Sequence, residues 1–322
     1  MAKIRASGAD AQLLGAFETV YGSAPNGAGG GVYRKLSFKS HALGSEQPLG
    51  TDPLLGMGRD AQDPYYDAIS VSGDIVVPVD LRGIGFWLKG LFGAPVTTGT
   101  AAPYTHVFTS GGLLPSLALQ VGHMAVDPQV HFAHAGVKLG SVALQMARTG
   151  AVNATISAIA QGETQGSAAL DAAPEEFALT RFSAGTGSIK LNGTQVAAVT
   201  GGNLTFSNNI EGVETIRDDG KIDGVDENEA TATGGLTVRF GPDSPLRAAV
   251  AAQTPVALEY AYAIPASAHL LKFTLPRVYL PKPKNEISGP GGIEATYNWQ
   301  AARDPVAGHL LRVTLINDVE EY

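Results

Sequence analysis

The chain has 322 residues and a mass of 33.2 kDa, about twice the usual single-domain length, so two similar-sized units are expected. Only 16% of residues are charged, against roughly 25% in an ordinary soluble domain, while glycine (40) and proline (19) are plentiful. Cysteine is absent, which excludes disulfides, zinc–thiolate sites and thiol catalysis, and the net charge of −8 disfavours nucleic acid as a tight partner.

In chain order, β-branched or alternating runs recur between Gly and Pro breaks at 69–79, 104–109, 116–121, 130–139, 142–148 and 152–160. A second set follows at 202–207, 230–240, 256–264, 268–280, 293–301 and 309–316. Two helices are expected. Asp80 caps the first, over 81–92, with Gly93 as its stop. Ser244 caps the second, with Pro245 at the first helical position and 246–253 behind it. The ends, 1–10 and 318–322, read as flexible arms. Leu280-Pro281-Lys282-Pro283-Lys284 interrupts a strand pattern and reads as a bulge or loop at an interface, or as a surface turn.

The features come twice in one order. Val71-Ser72-Gly73-Asp74-Ile75 precedes the first helix as Ala232-Thr233-Gly234-Gly235-Leu236 precedes the second, 161 positions later. Gly150–Ile156 parallels Gly291–Tyr297, and Leu36-Ser37-Phe38 parallels Leu204-Thr205-Phe206. A long Gly- and Asp-rich insert follows the first strand of each half. This order indicates an internal duplication, with lobes at 1–165 and 166–322 joined near 161–176. Strand–Gly–strand patterns are also common in all-β proteins, and that reading stands beside it.

Charge is uneven. Residues 1–170 carry 10 basic and 11 acidic groups, and residues 171–322 carry 12 and 19. The second insert alone holds Glu211, Glu214, Asp218, Asp219, Asp223, Asp226, Glu227 and Glu229 against Arg217 and Lys221. Such a run reads as a solvated loop.

Chemical motifs do not point to catalysis. There is no G-x-S-x-G elbow and no G-x-x-x-x-G-K-[ST] loop. Gly27–Gly31 has only the composition of a phosphate cradle. His131 and His134 stand three apart, on opposite faces of a strand, which is wrong for a metal pair. The 218–227 segment lacks the ligand spacing of a calcium loop. No catalytic, cofactor or metal site is expected, and the chain does not read as an enzyme. No apolar run reaches the roughly 18–20 residues of a membrane-spanning helix, and nothing apolar follows Met1-Ala2-Lys3-Ile4-Arg5 as a secretory leader needs.

The N-terminal half carries a resemblance, covering roughly residues 15–165. Glu18-Thr19-Val20-Tyr21-Gly22-Ser23-Ala24-Pro25 opens it. Tyr33–Phe38, Ser72–Ile75, Leu88–Gly93, Tyr104–Phe108 with Leu114–Leu117, and Ala135–Lys138 continue it in order. Together they resemble the tail tube proteins of long-tailed phages.

That resemblance implies a mainly β fold. It consists of two β-sandwich or half-barrel lobes, each with one short helix, joining into a ring-wide β-barrel. It implies a structural virion protein whose rings, three two-lobed chains each, stack around a lumen that conducts DNA. Partners would be further copies of the chain, tail-tip or tape-measure proteins and a tail terminator. The place would be the virion tail, after assembly in the host cytoplasm. The inserts become candidate inter-ring contacts, through Gly44, Glu46, Asp52, Arg59, Asp60, Asp63 and Asp67 in the first and the eight acids in the second. They would be mobile until a neighbouring ring orders them. Acids lining the lumen would let DNA slide. The rival readings are a β-sandwich module binding a ligand or carbohydrate, for which Pro64-Tyr65-Tyr66 is a compact aromatic pair, and a tail completion protein forming a single ring.

Overall fold

The computed structural model describes residues 5–196, 198–241, 244–284 and 291–322, so the first four residues of the expected N-terminal arm lie outside it. The fold is mainly β with two α-helices among the described residues.

The N-terminal half runs β1 (Ala11–Phe17), β2 (Arg34–Leu36), β3 (Ser40–His41), β4 (Gly44–Glu46), β5 (Leu49–Gly50), β6 (Tyr65–Tyr66) and β7 (Ser70–Pro78). Helix α1 (Ile84–Phe92) follows, then β8 (Val96–Thr98), β9 (Tyr104–Thr109), β10 (Leu117–His123), β11 (Val130–Met146), β12 (Asn153–Ile159) and β13 (Gly162–Gly166). After β14 (Glu175–Glu176), the C-terminal half runs β15 (Gly187–Leu191), β16 (Thr194–Gln195), β17 (Val199–Ser207), β18 (Glu211–Val213), β19 (Gly224–Asp226) and β20 (Thr231–Arg239). Helix α2 (Pro245–Ala252), β21 (Val256–Ala263), β22 (Leu270–Tyr279), β23 (Glu294–Ala301) and β24 (Arg312–Asn317) complete it.

The pairing repeats strand by strand. Ser40 faces Val76 in the first half and Gly201 faces Thr237 in the second, 161 positions on. The insert hairpins follow the same offset: Leu49 faces Tyr66, and Glu211, the counterpart of Gly50, faces Asp226, the counterpart of Tyr65. Strand β7 pairs with β12 as β20 pairs with β23. Strand β10 pairs with β11 as β21 pairs with β22, and both ladders slip register at the same place, after Leu117 and after Val256. The added β8–β9 hairpin shortens the offset to 141 for β12 and β23. One sequence match is out of step with this pairing. The counterpart of Leu204–Phe206 is Leu43–Ser45, not Leu36–Phe38, which lies in another sheet.

Glycine explains why the repeat shows in the sequence. A Cβ on Gly73 would stand 2.1 Å from the Ala42 carbonyl oxygen, and one on Gly234 would stand 2.2 Å from that of Asn203. Both contacts join equivalent positions, so both halves need glycine where the neighbouring backbone presses close.

Long strands β11 and β22 each cross from an outer sheet to an inner one. The inner sheet is continuous across both halves. It runs β3/β4, β7, β12, the end of β11, β17, β20, β23 and the end of β22. The joint between halves is the six-residue ladder from Ser141–Ser207 to Met146–Gly202. A second joint pairs β24 with β9 on the outer layer. One apolar core runs beneath both halves, from Leu13 to Leu315. The segment 161–176, where the join is expected, holds β13, which pairs with β11, and β14, which pairs with β2.

Helix α1 starts later than the sequence suggests. The Asp80 carboxylate accepts from the Arg82 and Gly83 N–H groups, but 81–83 form a turn before Ile84. Gly93 ends the helix at φ +86°, donating to the Lys89 carbonyl. Helix α2 begins as expected, with the Ser244 hydroxyl accepting from the Arg247 N–H. The C-terminal segment is not a loose arm. The Tyr322 ring lies over Gly85 and against His106, its hydroxyl donates to the Arg82 carbonyl, and Asp318 pairs with Arg82.

Candidate assembly surface

One face of the inner sheet is buried and the other is open, because strand residues alternate. Ile75, Val77, Ile156, Leu144, Phe206, Leu236 and Tyr297 point into the core. The open face carries Ser72, Thr155, Ser157, Ser141, Asn203, Thr205, Thr233, Asn298 and Gln300. Hydroxyls bridge across strands, Ser141 to Ser157 at 2.7 Å and Thr237 to Thr296 at 3.2 Å. Charges on the described strands of this face are few. Glu46 and Lys138 stand at the end nearest the inserts, Asp74 lies midway, Arg277 lies against Tyr279 at the far edge, and Arg239 pairs with Glu294 at 3.4 Å at the helix end. The acids are therefore concentrated in the inserts and not on this face.

Among the described residues, both ends of the inner sheet are open edges. Strands β3 and β4 form one. At the other, β22 stops at Tyr279 and runs into Leu280-Pro281-Lys282-Pro283-Lys284. Proline lacks the N–H a ladder needs and blunts an edge against promiscuous pairing.

The two inserts have equal length, 47–69 and 208–230, and differ in chemistry, the second holding eight acids and the first four. Of the residues expected in the first, Gly44 and Glu46 lie just before it, on β4 against β7. Asp52, Arg59, Asp60 and Asp63 lie in the exposed loop between β5 and β6. Asp67 donates its N–H to the Pro48 carbonyl and closes that loop. Among these polar groups Leu54, Leu55, Met57 and Tyr66 are exposed, Leu55 fully and Tyr66 by 75%.

In the second insert, Glu211 and Asp226 face each other across the β18–β19 hairpin. Arg217 bridges Asp219 at 2.9 Å and Asp223 at 3.0 Å, which holds the Asp219 carboxyl well below the usual range. Glu214 and Asp218 are exposed, and the Glu229 carbonyl accepts from Asn209. Glu227 reaches across to the N-terminal half, 2.6 Å from the Lys138 ammonium, and also accepts from the Leu114 N–H. Gln161 donates to the Asp223 carbonyl, and the Gly220 carbonyl accepts from Ile69. The second insert is thus seated on the N-terminal half of its own chain. Composition gave no hint of this seat, because Lys138 lies 89 residues from Glu227.

Beside the first edge, His41 and His134 pack with ring centroids 5.7 Å apart, and His134 meets Glu163 at 2.9 Å. Burial and the neighbouring His134 push the His41 imidazole down to about 4. Burial also lowers His134, against the pull of Glu163. His131 bonds Gln129 instead, so the two histidines of the H-x-x-H do not converge. Among the described residues no cluster of His, Asp or Glu has the arrangement of a metal site, and no helix is long and apolar enough to cross a membrane.

A continuous sheet with one polar open face, two free edges and projecting inserts is a surface built for association. A family model described as phage tail tube protein matches residues 8–301. The chain belongs to the phage tail tube protein family. It is a structural component of a phage tail, in a family that self-assembles into stacked rings and is generally without enzymatic activity. No curated protein matches the sequence.

Proposed function

We propose that three copies of this tail tube protein close into a ring of pseudo-sixfold symmetry, each chain supplying two lobes that arose by duplication, at about 1–165 and 166–322. The observation that carries the reading is the eight-strand inner sheet, four strands from each half in the same pairing order. Three such sheets make a barrel of 24 strands. At ~4.8 Å per strand it is ~37 Å across between backbones before strand tilt widens it, enough for a DNA duplex.

In this arrangement the open face lines the lumen. Hydroxyls and amides exchange hydrogen bonds with water and present few cations, so DNA has no phosphate-gripping surface to cross. This replaces an acid-lined lumen with a polar, nearly uncharged one. Rings stack through the insert end of the barrel, where Glu46, Asp52, Arg59, Asp60, Asp63, Asp67 and the acids of 211–229 lie. Tail-tip or tape-measure proteins and a terminator occupy the ends of the tube, and assembly takes place in the host cytoplasm.

The test is negative-stain electron microscopy of the concentrated protein, with class averages down the ring axis. Threefold rings with pseudo-sixfold modulation, alone or stacked, support the reading. True sixfold rings of single chains would overturn the two-lobe arrangement, and rings that never stack would favour a single-ring completion protein.

A further inference from the structure

The joint inside the chain is a template for the joint between chains. On the N-terminal half, Ile210 of the second insert sits on Gly140, with its Cγ1 3.0 Å from where a Cβ would be. Glu227 pairs with Lys138. Ser207, Asn209 and Ile210 wall a cavity of about 640 Å³ floored by Gly73, Gly140 and Ala158. The repeat puts the counterparts of that floor, Gly234, Pro281 and Trp299, on the C-terminal half. There they line a second cavity of about 650 Å³, which Tyr279 also borders. Among the described residues, no insert of the same chain lies over this one.

The missing wall is present on the molecule, at the other end. The counterparts of Ser207, Asn209 and Ile210 are Glu46, Pro48 and Leu49. The counterpart of Glu227 is Tyr66, and that of Lys138 is Tyr279. Leu49, Tyr66 and Tyr279 are exposed by 57%, 75% and 40%. Exposed aromatic and aliphatic groups stand at both halves of one unmade contact, with Arg277 already stacked beside Tyr279 and donating to its hydroxyl.

We propose that the insert 47–69 seats laterally on the C-terminal half of a second copy of this chain, in the place that 208–230 takes on the N-terminal half. The proposal rests on the ring reading above. Leu49 covers Pro281, Tyr66 stacks on Tyr279 where Glu227 meets Lys138, and Glu46 faces Lys282 where Ser207 faces Ser141. The chemistry changes for a physical reason. Pro281 and Pro283 stand at the positions of Gly140 and Val142, so this joint has fewer ladder donors than the internal one. Buried aromatic and aliphatic side chains supply the adhesion that the backbone does not.

A charge exchange tests it. Tyr66→Glu should raise the concentration needed for ring assembly about tenfold, as loss of an aromatic anchor does. Adding Tyr279→Lys, which copies the Glu227–Lys138 pair, should recover most of that loss. Circular dichroism of the unassembled chain should not change in either variant, because both side chains are exposed. Normal assembly of Tyr66→Glu, or a double variant no better than the single one, would overturn the seat.

The native chain has no cysteine, so Leu49→Cys with Pro281→Cys reports the contact directly. On a denaturing, non-reducing gel, a covalent series that closes at the number of chains in one ring supports the lateral seat. A ladder running past it places the contact between rings and overturns the proposal. Rings without any cross-link overturn the seat and leave the ring reading standing. A chain that stays monomeric at every concentration overturns both.

Discussion

Helices α1 and α2 hold the same place in the repeat, 161 positions apart, and have opposite surroundings. In α1, Ile84, Phe86, Trp87, Leu88, Leu91 and Phe92 are all buried, whereas α2 buries Leu246 alone. The difference does not come from the repeated elements, which pair alike. The N-terminal half has the extra β8–β9 hairpin, which brings β24 alongside, and Tyr322 closes over Gly85. Segments outside the repeated pairing pattern thus decide which of the two equivalent helices becomes core. The open helix is left facing outward, available to neighbours in the assembled tail.

The largest break in this comparison should come from Trp87→Ala. Emptying a fully buried indole site should cost about 3–5 kcal/mol in urea unfolding, while Arg247→Ala, on the exposed helix and stacked on Phe240, should cost no more than about 1 kcal/mol. Equal effects would mean that α2 is buried in solution. Next is Gly85→Leu, which installs the residue found at the equivalent Leu246. A Cβ there would lie 2.1 Å from the Tyr322 ring, so the ring must leave. Destabilisation of about 1–3 kcal/mol is expected, with the Tyr322 environment change visible by near-ultraviolet circular dichroism.

A pH titration sharpens the contrast, because Gly202 stands where the first half has His41. The His41 imidazole falls from its ordinary 6.5 to about 4 on folding, so its neutral form favours the folded state. That contribution is full above about pH 6.5 and is lost as pH falls towards 4. The urea midpoint should therefore drop between pH 7.5 and 5, and His41→Leu should flatten the drop. The smallest effects should come from the caps. Asp80→Ala removes an acceptor for two N–H groups and should cost about 1 kcal/mol, and Ser244→Ala no more than that, its bond being long at 3.4 Å. A larger loss at Ser244 in thermal unfolding would show that α2 carries core contacts.

Much of the fold is legible because its signals are local. Alternation along 152–160 and 293–301 marks strands with one wet face, and Ser244-Pro245 marks a helix start. Gly73 and Gly234 mark where a neighbouring backbone presses close, so a close backbone contact leaves a trace in the sequence. The 161-residue spacing reads correctly around these glycines. It slips at Leu36–Phe38, where a three-residue hydrophobic match carries no register information.

The assembly surface was only half legible. The acidic residues of 211–229 read as a solvated loop, and most are exposed, but Glu227 and the Asp223 carbonyl hold the insert onto the other half. Tyr65 and Tyr66 stood out as an aromatic pair without a place to go. Composition, alternation and capping, which depend on neighbours in the chain, determined the β class, the two helices and the repeat. Tertiary structure alone decided which helix is covered, which insert is seated and which face stays polar and open. Those outcomes rest on contacts between residues tens to hundreds of positions apart, such as Lys138 with Glu227 and Gly85 with Tyr322, and no local pattern encodes them.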